Sequence, residues 1–315
     1  MIRTTLKMLA TGLVALAMLV LIAWLTGRIV SDRYAWSQWL SWIPTPVAVA
    51  ASLFGVLGSL RRRRRRLMLG WAIITVVIAA YFAGFEHRLT RAHRTASFGL
   101  RIAFWNGNSS GDGDDTKLND ALLALDADLT ILTNAGHYRR YEPLTGSLGE
   151  DGRRFGVRPF MVFTRLPLLE YRSLVSNEGI EVLHLRVDAT ARIGREISIF
   201  AIDLPSDPRI GRMKVARRLR SLLASADAPP PDIVIGDFNM TRGGAALRTA
   251  FPDLEHAYDQ AGHGYGATYP RAFPLYHIDH VLLDDSLQAL DYQLVNPGLG
   301  RHVIQVAELR TRNAP

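Results

Sequence analysis

Six polar residues of this chain stand where brief apolar runs end or begin. Asn106 closes "RIAFW", Asp237 and Asn239 follow the apolar run in "VIGDFNM", Asp279 and His280 open "DHVLL", and His302 lies near the C-terminus in "GRH". Carboxylate and amide oxygens suit a hard divalent cation and a phosphoryl group beside it, and an imidazole can take a proton from an attacking water. Singly, each residue has a plainer use. Asp and Asn form turns, and a histidine beside a strand usually serves as a hydrogen-bonding group. Their order along the chain is what points to a site.

Such residues need a frame to bring them together. Short runs rich in Ile, Val, Leu and Phe predict strands over residues 100–105, 129–133, 160–164, 182–187, 197–202, 233–235 and 278–283. Helices are expected over 117–124 and 212–224. In the second, Met213, Ala216, Leu219, Leu222 and Leu223 recur at helical spacing while Lys214, Arg217, Arg218 and Arg220 take the solvent side. The acidic loop with Asp112, Asp114 and Asp115 lacks the closing glutamate of a calcium loop, since Leu123 stands there, and reads as a turn. With no cysteine, disulfides, thiolate metal sites and thiol nucleophiles are excluded.

Before residue 99 the composition is different. Residues 1–98 hold 13 basic and 2 acidic side chains, against 24 and 27 in residues 99–315, so the basic excess is wholly N-terminal and the charge of the larger part argues against nucleic acid as its partner. Uncharged runs at 8–26, 36–60 and 67–85 are each about long enough to cross roughly 30 Å of hydrocarbon and predict three transmembrane helices. Pro44 and Pro46 make the second the least regular. The first run is too long for the apolar region of a cleaved signal. Six consecutive arginines, Arg61 to Arg66, join the second and third runs; a charge block there is held on the cytoplasmic side. That predicts a multi-pass protein of the cytoplasmic (inner) membrane with its C-terminal part outside the cytoplasm, and Arg88, Arg91 and Arg94 meeting lipid phosphates.

The ordered series Asn106, "GDFN", "IDHVLL" and a late histidine resembles the endonuclease/exonuclease/phosphatase superfamily of metal-dependent phosphoesterases, the deoxyribonuclease I-like proteins, over about residues 99–312. "TYP" at Thr268 to Pro270 matches the segment that usually precedes the second motif. Membrane-anchored members of the family are similar to this chain throughout. The resemblance implies an α/β (α+β) fold, a four-layered αββα sandwich of two packed mixed sheets, here preceded by three transmembrane helices. The anchor and stalk would occupy 1–98 and the catalytic-type domain 99–315. It also implies a Mg²⁺ or Mn²⁺ cofactor and a phosphorylated substrate. Catalytic roles fall to His302, Asp237, Asn239 and Asp279, metal contacts to Asn106, Asn134, Asp203 and Asp279, and substrate-phosphate contacts to Asn239, Arg301 and His280.

Three positions depart from the family pattern. Asn134 stands where the family has its metal-binding glutamate, Asp203 where it has a phosphate-contacting histidine, and Arg301 where it has the aspartate taken to orient the catalytic histidine. His302 is therefore expected to lack a fixed tautomer and to have a depressed pKa beside a cation. Two readings follow. In one the site is rebuilt, with Asp203, Asp237, Asp279 and Asn134 holding the metal and Arg301 clamping phosphate. In the other the domain keeps the fold without hydrolysis and binds phosphate or protein at the outer membrane face. The predicted topology favours a membrane-borne substrate.

Overall fold

The computed structural model describes residues 2–61, 64–91, 99–108, 114–136, 138 and 141–312. Four helices come first, α1 (Ile2–Val30), α2 (Ala35–Ser41), α3 (Thr45–Arg61) and α4 (Arg65–Tyr81), the last continuing into a π-helical turn over Phe82–Glu86. Two stretches, Met8–Val30 and Arg65–Glu86, are long and apolar enough to cross a membrane. The span expected over 36–60 is broken into α2 and α3, bent by 68°, and the pair passes together as a third stretch apolar enough to cross if it counts as one. Pro44 explains the break, because it has no N–H to continue a helix and pushes Ile43 out of the helical region. Pro46 lies in the first turn of α3, where the missing N–H costs nothing.

The long helices meet through Ala17, Leu21, Trp24, Ala48, Trp71 and Ile78. Gly55 makes room for Trp71, since a Cβ there would stand 2.3 Å from the indole. Leu9, Ile22, Ile73, Val76 and Val77 face outward and exposed, an apolar surface on helices long enough to cross a membrane. At the other end of α1, Arg28 Nη2 donates to Ile43 O (3.3 Å), Thr45 Oγ1 (2.9 Å) and Glu86 Oε1 (3.3 Å), tying the helices together.

From residue 99 the described residues form β1 (Leu100–Asn106), β2 (Leu129–Thr133), β3 (Arg153–Val157), β4 (Phe160–Thr164), β5 (Leu168–Asn177), β6 (Ile180–Asp188), β7 (Glu196–Asp203), β8 (Ile233–Asp237), β9 (Glu255–His256), β10 (Asp279–Leu283), β11 (Leu287–Val295) and β12 (Ile304–Thr311). Between them lie α5 (Asp115–Leu123), α6 (Glu142–Gly146), α7 (Thr190–Ile193), α8 (Arg212–Ser225), α9 (Ala245–Ala250) and α10 (Ala257–Ala261). One sheet runs β11-β12-β1-β2-β4-β3 and the other β5-β6-β7-β8-β10-β9. Both are mixed, because β1 runs parallel to β2 and β7 parallel to β8 while their other neighbours are antiparallel.

Alternation along the strands builds the layers. Ile102, Phe104 and Ile131 of the first sheet face Ile199, Ile235 and Val281 of the second in one shared core. The opposite faces carry Trp105 and Leu132 against Leu118 and Leu122 of α5, and Phe200 and Val234 against Val215 and Leu219 of α8. The four-layered sandwich expected of the resemblance is therefore the fold observed. Lys214, Arg217, Arg218 and Arg220 are exposed on α8, as its spacing predicted. Asp114 caps α5, accepting from Lys117 N at 3.0 Å, so the acidic loop ends as a helix start; Asp112 lies outside the described residues.

The segment after α4 lies against the domain as far as it is described. Tyr258 Oη donates to His87 O (2.6 Å), Gly264 N donates to Arg88 O (3.2 Å), and Arg91 Nη1 donates to Gln260 O (2.8 Å). Arg94 lies outside the described residues.

Candidate active site

Register builds the site. β7, β8 and β10 lie side by side, with Asp203 opposite Asp237 and Asp237 opposite Asp279. Ile199 and Ala201, Ile233 and Ile235, and Val281 and Leu283 all point into the shared core. With a period of two, the three aspartates continue that inward face at one end of the sandwich. From the other sheet, Asn106 continues the inward row of Ile102 and Phe104. Gly236 lets β7 and β8 approach this closely, because a Cβ on it would sit 2.0 Å from Ile202 O.

Hydrogen bonds hold the aspartates. Asn106 Nδ2 donates to Asp237 Oδ2 at 2.7 Å and Asn239 N donates to Asp237 Oδ1 at 2.9 Å. Asn239 turns with φ +51°, a left-handed conformation that asparagine tolerates, and its Nδ2 donates to Leu204 O at 2.9 Å. Asn134, at φ +52°, donates from Nδ2 to Asp203 Oδ2 at 3.0 Å. The hydroxyl of Thr268 accepts from Ile278 N (3.1 Å) and Asp279 N (3.3 Å), which gives the "TYP" segment its part: it fixes the start of β10.

His302 is buried with Nδ1 2.9 Å from Asp279 Oδ2 and 3.1 Å from Oδ1. Lodged between carboxylate oxygens, Nδ1 carries a proton, and Nε2 is presented toward Asp237 Oδ2 at 3.9 Å. The expectation of a histidine without an orienting partner is thus corrected. Asp279 supplies the carboxylate, so Arg301 has displaced nothing that His302 needs. Burial alone would lower the imidazole pKa, but the charge and hydrogen bond of Asp279, together with the charge of Asp237, outweigh it and raise the value; Arg301 opposes them least of all. Arg301 is exposed, donates to Tyr269 Oη at 2.5 Å, and lies over the Tyr269 ring, which packs 4.8 Å from His302.

Burial and then the neighbouring Asp279 raise the Asp237 carboxyl above the usual carboxylate range. Burial raises Asp203 to about 6, against the Asn134 hydrogen bond and aided by Asp279. The acids therefore crowd one another for want of positive charge. Asp237, Asp279 and His302 offer ligand atoms that all lie within 4.8 Å of one another. Oxygen donors in excess of charge are the environment a hard divalent cation fits. The cleft above them has a volume of about 650 Å³, with Asn106 and Asp237 on its floor, Asp203 and Asn239 half-buried, and Asn134 and Arg158 exposed at its rim.

His280 does not join them. Adjacent residues of a strand face opposite ways, so with Asp279 inward His280 points to the outer face. There His256 Nδ1 accepts from Tyr258 N (3.1 Å), which leaves the proton on Nε2 to donate to His280 Nδ1 (2.7 Å), and His280 Nε2–H donates to Met240 O (2.8 Å). Burial holds His256, His277 and His280 neutral, His280 at about 4. Although these three rings are close enough to share an ion, the lone pairs of His256 and His280 are already used. Sequence reasoning passed over Arg158 and Tyr269. Tyr269 was inside a quoted motif, while Arg158 carried no signal, since only folding brings the β3–β4 turn to the cleft.

No curated protein matches the chain at a significant level. Among solved structures it is similar to an endonuclease/exonuclease/phosphatase from Beutenbergia cavernae DSM 12333, at TM-score 0.52 and 16% identity over 70% of this chain and 73% of that one. It is also similar to a functionally unknown conserved protein from Enterococcus faecalis V583 (TM-score 0.51, 14% identity, 68% and 100% covered) and to humanized D. rerio TDP2 (0.50, 15%, 68% and 100%). At these identities the likeness concerns the fold. The sequence model of the Endonuclease/Exonuclease/phosphatase family matches residues 103–306, more than half of the chain and every strand that carries an aspartate of the site, and the protein therefore belongs to that family.

Proposed function

We propose that the chain is a membrane-anchored, divalent-metal-dependent phosphoesterase, with an anchor up to about residue 98 and a hydrolytic domain from 99. The observation that carries this reading is the Asp279–His302–Asp237 line, in which an oriented imidazole points its second nitrogen across 3.9 Å at a buried carboxylate. Oxygens of Asp203 and Asp237, with Asn134 and Asn106 beside them, would hold Mg²⁺ or Mn²⁺. A bound ion of this kind supplies Lewis acidity toward a phosphoryl oxygen and acidifies water.

The chain's own residues do the rest. His302 Nε2 accepts the proton of the attacking water, and the Asp279 carboxylate stabilises the imidazolium that results. Asp237, held by Asn106 and Asn239, positions that water. Among the described residues the second Asn239 amide hydrogen has no partner and can meet a phosphate oxygen, and Arg158 stands at the rim as a planar donor for the rest of the ester, with Arg301 held on Tyr269 beside His302. A non-catalytic binding role is favoured by one feature, the neutral Asn134 at the position of the family's metal-binding glutamate.

The full chain in detergent distinguishes the two. With Mn²⁺ or Mg²⁺ it is expected to hydrolyse bis(p-nitrophenyl) phosphate or p-nitrophenyl phosphate, and Asp237→Ala to lose about 10²-fold or more. Absence of turnover with either ion, and of any rise in unfolding temperature on adding them, would leave the binding role. We further propose that the arginine block lies inside and the domain outside the cytoplasmic membrane, an orientation that would favour a membrane-borne phosphate ester as substrate.

A further inference from the structure

A second cleft, of about 360 Å³, lies away from the aspartates, between the anchor and the domain. Arg33 and Tyr34, in the turn from α1 to α2, form one wall; Met213 and Arg217 of α8 with Arg248 and Thr249 of α9 form the other. The two walls are held in place by hydrogen bonds. Ser31 Oγ accepts from Ala245 N and Asp32 Oδ1 from Ala246 N, both at 3.0 Å, so the turn caps α9. Gln38 Oε1 accepts from Arg212 N (2.7 Å) at the start of α8 while its Nε2 donates to Pro208 O (2.8 Å).

Arg33, Arg217 and Arg248 are all exposed, and none forms an ion pair among the described residues. The acid closest in sequence, Asp32, is buried and bound to α9. Three guanidinium groups thus border a space without a carboxylate to answer them. Its level is set by α1, whose apolar stretch ends at Val30, three residues before Arg33. Tyr34 stacks on Trp36 (6.1 Å, 4°), and Trp36 and Trp39 are 57% and 52% exposed, the aromatic character of a bilayer interface. Guanidinium forks match phosphate oxygens in charge and geometry.

We propose that this cleft binds the phosphate headgroup of an anionic phospholipid and so fixes the attitude of the domain over the bilayer. The inference rests on the membrane-spanning reading of α1 and is independent of hydrolysis. The full chain is placed in nanodiscs of phosphatidylcholine alone or mixed with phosphatidylglycerol, and unfolding temperature and retained lipid, by native mass spectrometry, are read. Phosphatidylglycerol is expected to raise the unfolding temperature and to be retained. Arg33→Gln and Arg217→Gln should each weaken retention about fivefold, whereas Arg310→Gln, an equal loss of charge on β12, should not.

A rise produced equally by inorganic phosphate in phosphatidylcholine nanodiscs would assign the cleft to free phosphate and overturn the lipid source. Equal loss of retention in Arg310→Gln, or no response to either anion, would overturn the site altogether. A chain that stays in solution without detergent would refute the membrane reading instead, which separates the two failures.

Discussion

Asp203 is the residue on which the proposed metal-bound state and the metal-free state would disagree. Its folded pKa, raised mainly by burial to about 6, lies above the ordinary value of 3.8. Its contribution to stability is therefore present below pH 3.8 and lost as pH rises through about 6. Asp203→Asn should accordingly stabilise the metal-free protein at pH 7 by about 1–2 kcal/mol, allowing for partial exposure, with the gain vanishing near pH 4. In Mn²⁺ the sign should reverse if Asp203 holds the ion as proposed, since the substituted protein would lose that ligand; equilibrium unfolding with and without the ion reads both. Asp279 offers a kinetic counterpart. Asp279→Asn removes the charge that raises the His302 pKa, so the acid limb of the kcat–pH profile should move to lower pH while the plateau falls about 10²–10⁴-fold. An unmoved acid limb would separate His302 from proton transfer.

Elements place these residues through close backbone contact, and Gly236 is where that contact is tightest. Gly236→Ala is expected to destabilise the fold by about 1–3 kcal/mol, because the added methyl meets the Ile202 carbonyl and must part β7 from β8; thermal unfolding measures this. The legibility of the elements followed their burial. β2 and β4 were readable to the residue, being five-residue runs with apolar neighbours on both faces. β3 and β5 were not, since both are edge strands with mostly exposed side chains and Glu170 and Arg172 interrupt the apolar run of β5. β12 hid for the opposite reason: buried Gln305 and Glu308 break its alternation. At the site, Asn106, Asp237, Asn239, Asp279 and His302 were legible from motif order, and they do converge. The Asp279–His302 pairing was not, because it joins residues 23 apart through tertiary contact. The misassignment of His280 was avoidable, since period two already sends it away from Asp279.

At the scale of the whole molecule, the N-terminal helices and the sandwich keep separate apolar cores and meet, across the described residues, mainly through hydrogen bonds. Arg242 donates from Nη2 to Phe85 O (3.0 Å) and Glu86 O (2.6 Å), and Arg212 lies over the Trp42 ring while binding the carbonyls of Pro205 and Asp207 in the loop after Asp203. The proposed orientation, with the arginine block inside and the sandwich outside, gives a direct expectation: alkaline phosphatase fused after Arg94 should be active, and a reporter that works only in the cytoplasm should be silent there. The converse pattern would place the cleft on the other side of the membrane and change the class of substrate within reach.

The caps that Ser31 and Asp32 lend to α9 carry one more consequence. Four residues separate Asn239 from Gly244, where that borrowed start begins. A tilt of α1 therefore has a short mechanical path, through α9, to the turn that grips Asp237. Severing the chain after α4 would do more than part the two halves: it would strip a helix start of acceptors supplied from more than two hundred residues upstream.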